Sequence, residues 1–278
     1  MKLVSFEYQG RPGWGIAEEQ GLRDMSAALP GIASLKALLA ADALDAAREA
    51  AASAPSLAMD AVTLLPVIPD PSKIICCGLN YDEHRIESNN PERGHPTLFV
   101  RFADSQAAHG ARVEHPPETT KLDYEAELAV VIGHGGRRIA RDAAWSHVAG
   151  YACYNDISVR DWQKHSSQMT PGKNFPTTGS FGPWLVTRDE IDDLASLAIR
   201  SRLNGKVMQD AHLGDMIFDI PQLIEYISTF TPLSPGDVIL TGTPGGVGLR
   251  RDPPVFMKPG DRIEVEIEKI GLLANPIV

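Results

Sequence analysis

Hydrophobic and polar positions alternate in short runs over most of the chain. After Lys73, strand-length runs bounded by turn residues are KIICCG, TLFVRF, ELAVVIG, HVAGYACYN, GPWLVT, SLAIRSRLNG, DVILTG and RIEVEIEKIG. One later segment, DIPQLIEYISTF, has apolar residues at helical spacing and a proline near its start, which predicts a helix. This balance predicts a mainly β (α+β) fold, a sandwich or rolled sheet, rather than a doubly wound one.

The first part of the chain has a different pattern. Short strand-like runs with glycine turns span MKLVSFEYQGRPGWGIAEEQGLRDMS, and an alanine- and leucine-rich helical stretch follows, SLKALLAADALDAAREAAASA. The next segment, LLPVIPDPSK, reads as a linker because its prolines lack a backbone donor and disfavour helix in the preceding residue. We therefore predict a small N-terminal α+β domain with its linker over residues 1–69 and a larger catalytic domain over residues 70–278.

Composition narrows the class of partner. A chain of 278 residues with 43% hydrophobic content can bury a full core, and its formal charge of -10 offers no basic surface to nucleic acid or to a membrane. Its three cysteines, two of them adjacent, form neither a disulfide framework nor a metal-binding spacing. No signal peptide and no apolar run of membrane-spanning length is present. These features predict a soluble, cytoplasmic protein that acts on small molecules.

Several common catalytic motifs are absent from the sequence. It contains no G-x-S-x-G nucleophile elbow, and no phosphate-binding or dinucleotide-binding glycine motif opens a helix. The glycine-rich stretch GTPGGVG follows a predicted strand but precedes a loop. It is equally consistent with a tight turn and with a rim of backbone N–H groups that, with the Thr243 hydroxyl, faces an anion.

The acidic residues of KLDYEAELAVVIG give the first positive indication of chemistry. Strand alternation places Asp123, Glu125 and Glu127 on one face, and the strand continues into LAVVIG, which is apolar on both faces. Paired acids usually lie on a solvated face, but this context favours a protected cleft. Asp156 ends another apolar run. Three carboxylates without cysteine or clustered histidine are hard oxygen ligands, so Glu125, Glu127 and Asp156 predict a Mg²⁺ or Mn²⁺ site.

Two further candidates lie in loops. His84 and Glu87 are three residues apart, so on a helical turn the carboxylate would orient the imidazole. Such pairs are common on surfaces, but the surrounding glycine, asparagine and proline residues suggest a short helix on a mobile lid over residues 84–95. Lys173 is a lone lysine in a loop, either solvated or facing an anion.

Seven motifs in order resemble the fumarylacetoacetate hydrolase family, in the branch of acylpyruvases and 2-hydroxyhepta-2,4-diene-1,7-dioate isomerases. They are GLNYDEHRIE, LDYEAELAVVIG, GYACYNDISVRDWQ, GKNFPTTGSFGPWLVT, LNGKVMQD, PGDVILTGTPGGVG and PGDRIEVEIEKIG, and they cover the chain from about Lys73 to its end. The resemblance implies a mixed β-sandwich roll, a homodimer and a Mg²⁺ or Mn²⁺ ion. It implies metal ligands at Glu125, Glu127 and Asp156, catalytic residues at His84, Glu87 and Lys173, and substrate contacts at Arg101, Gln163 and Thr243.

The sequence departs from the family at one site position. The family often has lysine where this chain has Arg101 and proline where it has Phe102. Arginine keeps the charge but presents a planar fork, so the shape of the substrate-binding end is expected to differ.

The predicted metal supports three reactions through one enolate. A 2-oxo acid chelates such a metal, which accepts charge as the enolate forms. Our leading hypothesis is hydrolysis of an acylpyruvate or other 2,4-dioxo acid to pyruvate and a carboxylic acid, with water activated by His84 and Glu87. The alternative is an oxaloacetate decarboxylase or a 2-oxo acid isomerase or tautomerase. A catalytically silent metal-binding scaffold is a third hypothesis, which the complete set of candidate residues disfavours.

Overall fold

The computed structural model describes residues 1–91 and 94–278, so residues 92 and 93 of the predicted lid lie outside the described residues. The strands are β1 (Lys2–Tyr8), β2 (Arg11–Glu18), β3 (Gly21–Asp24), β4 (Ser56–Leu57), β5 (Thr63–Leu64), β6 (Ile74–Gly78), β7 (Thr97–Arg101), β8 (Gln106–Ala107), β9 (Leu122–Asp123), β10 (Ala126–Ile132), β11 (Val148–Asp156), β12 (Ser158–Val159), β13 (Gly179–Thr187), β14 (Ala198–Leu203), β15 (Lys206–His212), β16 (Val238–Leu240), β17 (Arg262–Ile267) and β18 (Gly271–Pro276). The helices are α1 (Met25–Ala28), α2 (Leu35–Ala40), α3 (Leu44–Ala50), α4 (Asp82–Glu87), α5 (Arg160–Gln163), α6 (Thr170–Lys173) and α7 (Ile220–Phe230).

The largest sheet runs through both parts of the chain. Within the described residues it has twelve strands in the order β4-β3-β2-β1-β13-β11-β10-β16-β6-β7, with β5 beside β1 and β8 beside β13. The N-terminal strand β1 pairs antiparallel with β13, where Leu3 lies opposite Leu185. Residues 1–69 therefore continue the sheet of the larger part, and their status as a separate domain stays a prediction.

Strand β10 is the centre of the packing because it is buried along its whole length. Leu128 and Val130 lie in a core that also contains residues of α7 and of a second sheet, ordered β15-β14-β17-β18. Ala129 and Val131, on the opposite face, lie in a core shared with the N-terminal helices. The two cores on the two faces of one sheet confirm the predicted mainly β (α+β) fold.

The N-terminal helical stretch and two strands of the second sheet differ from the sequence prediction. The N-terminal helical stretch is two helices, α2 and α3, separated at Asp42, whose φ is 50°. Strands β15 and β18 did not stand out in the sequence because β15 is a largely exposed edge strand rich in polar residues, and β18 ends in a proline.

Among the described residues, no helix combines the length and apolar character needed to cross a bilayer.

Trp14 tests whether residues 1–69 fold with the rest of the chain. Its side chain is fully buried in the core below the large sheet, and its Nε1 donates a hydrogen bond of 2.7 Å to the carbonyl of Ile32. We expect Trp14→Ala to lower the free energy of unfolding by about 3–5 kcal/mol. Urea denaturation should show one transition by circular dichroism and by the fluorescence of the other tryptophans. Trp14→Phe should cost less, and a separate early transition would instead indicate an independent N-terminal domain.

Candidate metal centre and active site

The site forms where the ends of four neighbouring strands meet. Strands β10 and β11 are antiparallel, with Ala126 opposite Asn155, so the start of β10 lies beside the end of β11. Strand β16 is antiparallel to β10, with Ala129 opposite Leu240, and β6 is parallel to β16. The loops that follow β6, β11 and β16 therefore meet at the start of β10.

Three carboxylates converge at this point. Glu125, Glu127 and Asp156 each present an oxygen within 4.8 Å of the others, and all three side chains are buried. Strand pairing is interrupted between β9 and β10, but the Asp156 N–H donates to the carbonyl of Glu125 at 2.9 Å and holds the two chain segments together. The acids that the sequence pattern placed in a protected cleft therefore form one cluster.

Buried cations pair with two of the three carboxylates. Lys173 Nζ lies 2.7 Å from Glu125 Oε2 and 2.6 Å from Asp156 Oδ2. Arg160 Nη1 lies 2.7 Å from Glu125 Oε1, and Arg101 Nη1 lies 2.9 Å from Asp156 Oδ1. Glu127 has no cationic partner among the described residues, and its Oε2 accepts a 2.9 Å hydrogen bond from the backbone of Gly242. The cluster is thus least neutralised at Glu127.

Because of this difference in pairing, the pKa values of Glu127 and Glu125 shift in opposite directions. Burial, together with the charges of Asp156 and Glu125, raises the pKa of Glu127 well above its usual value. Burial also opposes ionisation of Glu125, but Lys173 and Arg160 outweigh it and lower the pKa of that carboxyl. A divalent cation among the three oxygens would relieve the repulsion at Glu127. The hard oxygen donors and their close approach therefore fit such an ion.

The glycine-rich loop after β16 binds carboxylates through its backbone. The N–H of Gly246 donates to Glu87 Oε2 at 3.0 Å, and those of Gly248 and Leu249 donate to Asp123 at 2.8 and 2.9 Å. Gly242 and Gly246 have φ values of 97° and 96°, which favour glycine. GTPGGVG is thus a turn with positive-φ glycines, and its N–H groups donate to carboxylates of the protein itself. An anion contact of the Thr243 hydroxyl stays a prediction.

Helix α4 places an imidazole beside the cluster. His84 Nδ1 lies 2.8 Å from Glu87 Oε1, and the other oxygen of Glu87 is held by Gly246. The side chain of His84 is mostly buried and borders a cavity of about 340 Å³ that Glu125, Glu127 and Lys173 also line. Glu87 therefore fixes the orientation of an imidazole that faces the same space as the carboxylates.

Two predicted substrate contacts also border this cavity. Gln163 Oε1 accepts a 3.1 Å hydrogen bond from Arg160 Nη1, and Thr243 Oγ1 accepts one of 2.7 Å from Gln209 Nε2. Arg101 is different, because its side chain is 0% exposed and lies behind Asp156, where Nη2 donates to Thr178 Oγ1 at 2.9 Å. In this position Arg101 pairs with the Asp156 carboxylate. A direct contact between Arg101 and substrate stays a prediction, and the burial of its side chain does not favour it.

Three supporting residues had no assigned role in the sequence analysis. Asp123 accepts a 2.7 Å hydrogen bond from Arg160 Nε, and the alternation that grouped it with Glu125 was the available signal. Arg160 precedes Gln163 by one helical turn, so its spacing was also informative. Gln209 lies on β15 within the motif LNGKVMQD, but its contact with Thr243 joins segments far apart in sequence and no local pattern predicts it.

The fold and site define a mixed β protein with a buried carboxylate centre and an imidazole in the same cavity. Residues 73–278 match the family model described as fumarylacetoacetate (FAA) hydrolase C-terminal. The chain therefore belongs to the fumarylacetoacetate hydrolase family, whose members are enzymes, and the resemblance found in its motifs is confirmed.

Similar proteins carry more specific names. The chain is 45% identical over 219 residues to "Oxaloacetate tautomerase fahd2, mitochondrial" of Xenopus laevis, covering 78% of this chain and 69% of that protein. It is 45% identical over 222 residues to "Oxaloacetate tautomerase YisK" of Bacillus subtilis, covering 78% and 73% of the two chains. The structure of maleylpyruvate hydrolase from Sphingobium sp. SYK-6 in complex with manganese (II) ion and pyruvate matches with a TM-score of 0.81 at 29% identity, covering 100% of this chain and 99% of that chain.

Metal binding can be tested through Glu127, the carboxylate without a cationic partner. We expect Glu127→Gln to lower Mn²⁺ affinity at least about 100-fold, since a ligand is lost, while stability without metal is kept because a neutral amide replaces a carboxyl group that favours its neutral form there. Titration calorimetry measures the affinity and thermal unfolding the stability. Glu225→Gln, which removes an exposed carboxylate from α7, is the matched control. Equal Mn²⁺ affinity in both variants would exclude Glu127 as a ligand.

Proposed function

We propose that this protein is a divalent-metal-dependent oxaloacetate tautomerase, which interconverts the enol and keto forms of its substrate. The observation that carries the proposal is that His84, paired with Glu87, lines the same cavity as Lys173 and two members of the carboxylate cluster, Glu125 and Glu127. This arrangement puts a proton-transfer group beside a centre suited to an enolate. The choice of reaction is supported by the two oxaloacetate tautomerases that resemble the chain, and it is the alternative that the sequence analysis placed second to hydrolysis.

The proposed cofactor is Mg²⁺ or Mn²⁺, held by Glu125, Glu127 and Asp156. The manganese and pyruvate in the similar maleylpyruvate hydrolase structure support this choice. A cation held there would supply Lewis-acid stabilisation of the negative charge that develops on a 2-oxo acid.

The side chains around the centre supply the remaining steps. His84, oriented by Glu87, removes a proton from C3 of the keto form or returns it to the enol. Lys173, fixed by two carboxylates, adds positive charge near the C2 oxygen, and Gln163 and Thr243 orient the substrate. The proton moves between C3 and the C2 oxygen, so no water is consumed and no carbon–carbon bond breaks.

Hydrolysis of an acylpyruvate or another 2,4-dioxo acid is the second candidate. It is favoured by the likeness to maleylpyruvate hydrolase, and the same His84–Glu87 pair would then activate water for attack at C4. Decarboxylation of oxaloacetate would use the same enolate without water. The lid over residues 84–95, the homodimer and the cytoplasmic location also stay predictions.

The reaction can be tested through His84. With Mg²⁺, the wild-type protein should accelerate the decay of the enol absorbance of oxaloacetate, and His84→Gln should reduce kcat by about 10² to 10⁴-fold because the proton-transfer group is lost. His134→Gln is the matched control, since His134 is half-exposed and pairs with Asp42 at 2.9 Å on the surface.

A panel of acylpyruvates assayed for pyruvate release separates the candidates. Faster cleavage of any acylpyruvate than tautomerisation of oxaloacetate would replace the proposal with the hydrolase. Loss of carbon dioxide as the main reaction of oxaloacetate would favour the decarboxylase. No turnover in any assay with Mg²⁺ or Mn²⁺ would support the hypothesis that the protein is a catalytically silent scaffold.

A further inference from the structure

The outer part of the active-site cavity carries two exposed cations. Lys164 directly follows α5, and Arg250 ends the 3₁₀ turn Gly248–Arg250 after the glycine-rich loop. Both side chains border the cavity that contains the carboxylate cluster. Neither forms an ion pair within residues 1–91 and 94–278, and Arg250 donates only to the carbonyl of Ser88, at 3.3 Å. No carboxylate in that part of the chain neutralises their charge.

Helix α5 connects these cations to the metal centre. Arg160, Gln163 and Lys164 are spaced by three and four residues, lie on one side of the turn, and all border the cavity. Arg160 is at the buried end, 2.7 Å from Glu125, and Gln163 is bonded to Arg160. Lys164 is at the exposed end. The buried Nη2 of Arg160 has no hydrogen-bond partner in the part of the chain that the structure describes. A row of donors thus leads from the carboxylate cluster to the cavity mouth.

The cations at the mouth influence one another. Partial burial and the nearby charges of Arg250, Arg160 and Lys121 lower the pKa of Lys164. Lys164 is exposed, so solvent screens much of the repulsion between these cations. An anion bound among them would raise the pKa of Lys164 again.

We propose that Lys164 and Arg250 bind the second carboxylate of a dicarboxylic 2-oxo acid and make the enzyme selective for dicarboxylates over monocarboxylates. The inference rests on the proposed function for one point, that the 2-oxo acid end of the ligand lies at Glu125, Glu127 and Asp156. A monocarboxylate at that end would leave the two exposed cations without a partner. The second carboxylate of a diacid provides one, and charge-assisted hydrogen bonds to it are stronger than neutral ones.

Binding can be measured without turnover by using two matched ligands. In 3,3-difluorooxaloacetate the absence of hydrogen at C3 prevents tautomerisation, and in 3,3-difluoro-2-oxobutanoate a methyl group replaces the second carboxylate. In calorimetry with Mg²⁺, the wild type should bind the diacid at least about 10-fold more tightly. The double variant Lys164→Met/Arg250→Met should lose about 10- to 100-fold affinity for the diacid and less than about 2-fold for the monoacid.

Lys121→Met is the matched control, because Lys121 is exposed and charges the same region but does not border the cavity. It should change neither affinity by more than about 2-fold. Unchanged selectivity in the double variant, or an equal loss for both ligands, would overturn the assignment. Selective diacid binding by a protein that does not tautomerise oxaloacetate would reject the proposed function and support this subsite.

Discussion

Four carboxylates lie buried at one end of the central strands, and burying an ionised carboxylate without a partner is costly. The buried acids are Asp123, Glu125, Glu127 and Asp156, and the buried cations that contact them are Arg101, Arg160 and Lys173. The acids outnumber the cations by one, and the excess is located at Glu127, where a backbone N–H is the hydrogen-bond donor. Three of the four buried acids are therefore paired with buried cations, and the charge of Glu127 is not balanced by a cation among the described residues.

The surrounding elements are arranged to meet this constraint. Arg160 contacts both Asp123 and Glu125, so α5 is held against the start of β10. An added Cβ at Gly172 would lie 2.4 Å from the backbone nitrogen of Gln163, so only glycine allows α6 to approach α5 closely enough to bring Lys173 to the acids. The glycine-rich loop ties Glu127, Glu87 and Asp123 to one backbone segment. These contacts pair buried charges with one another and with backbone N–H groups, so they hold the loops around the start of β10.

Local patterns predicted the residues whose geometry is itself local. Alternation placed Glu125 and Glu127 on one face, and helical spacing paired His84 with Glu87. Contacts between distant segments were not predictable in this way. The pairing of β1 with β13 joins residues far apart in sequence, and so does the bond from Gln209 to Thr243. Arg101 was identified as a site residue, but only the fold shows that it lies behind Asp156.

The charge balance also connects structure with the proposed reaction. Without a divalent metal ion, Lys173 bridges Glu125 and Asp156. Glu127 then favours its neutral form, because burial and its acidic neighbours raise its pKa. The proposed divalent cation would make the centre positive overall and suited to an anionic 2-oxo acid. The exposed Lys164 and Arg250 continue this positive character toward solvent. Substrate charge and site charge are then complementary along the cavity.

The most direct measurement is diffraction from crystals of the protein grown with Mn²⁺, recorded near the manganese absorption edge. We expect one anomalous peak, located among the carboxylate oxygens of Glu125, Glu127 and Asp156. An anomalous peak elsewhere, with no density for a metal ion among these three carboxylates, would contradict the proposal that a divalent cation completes the buried charge balance.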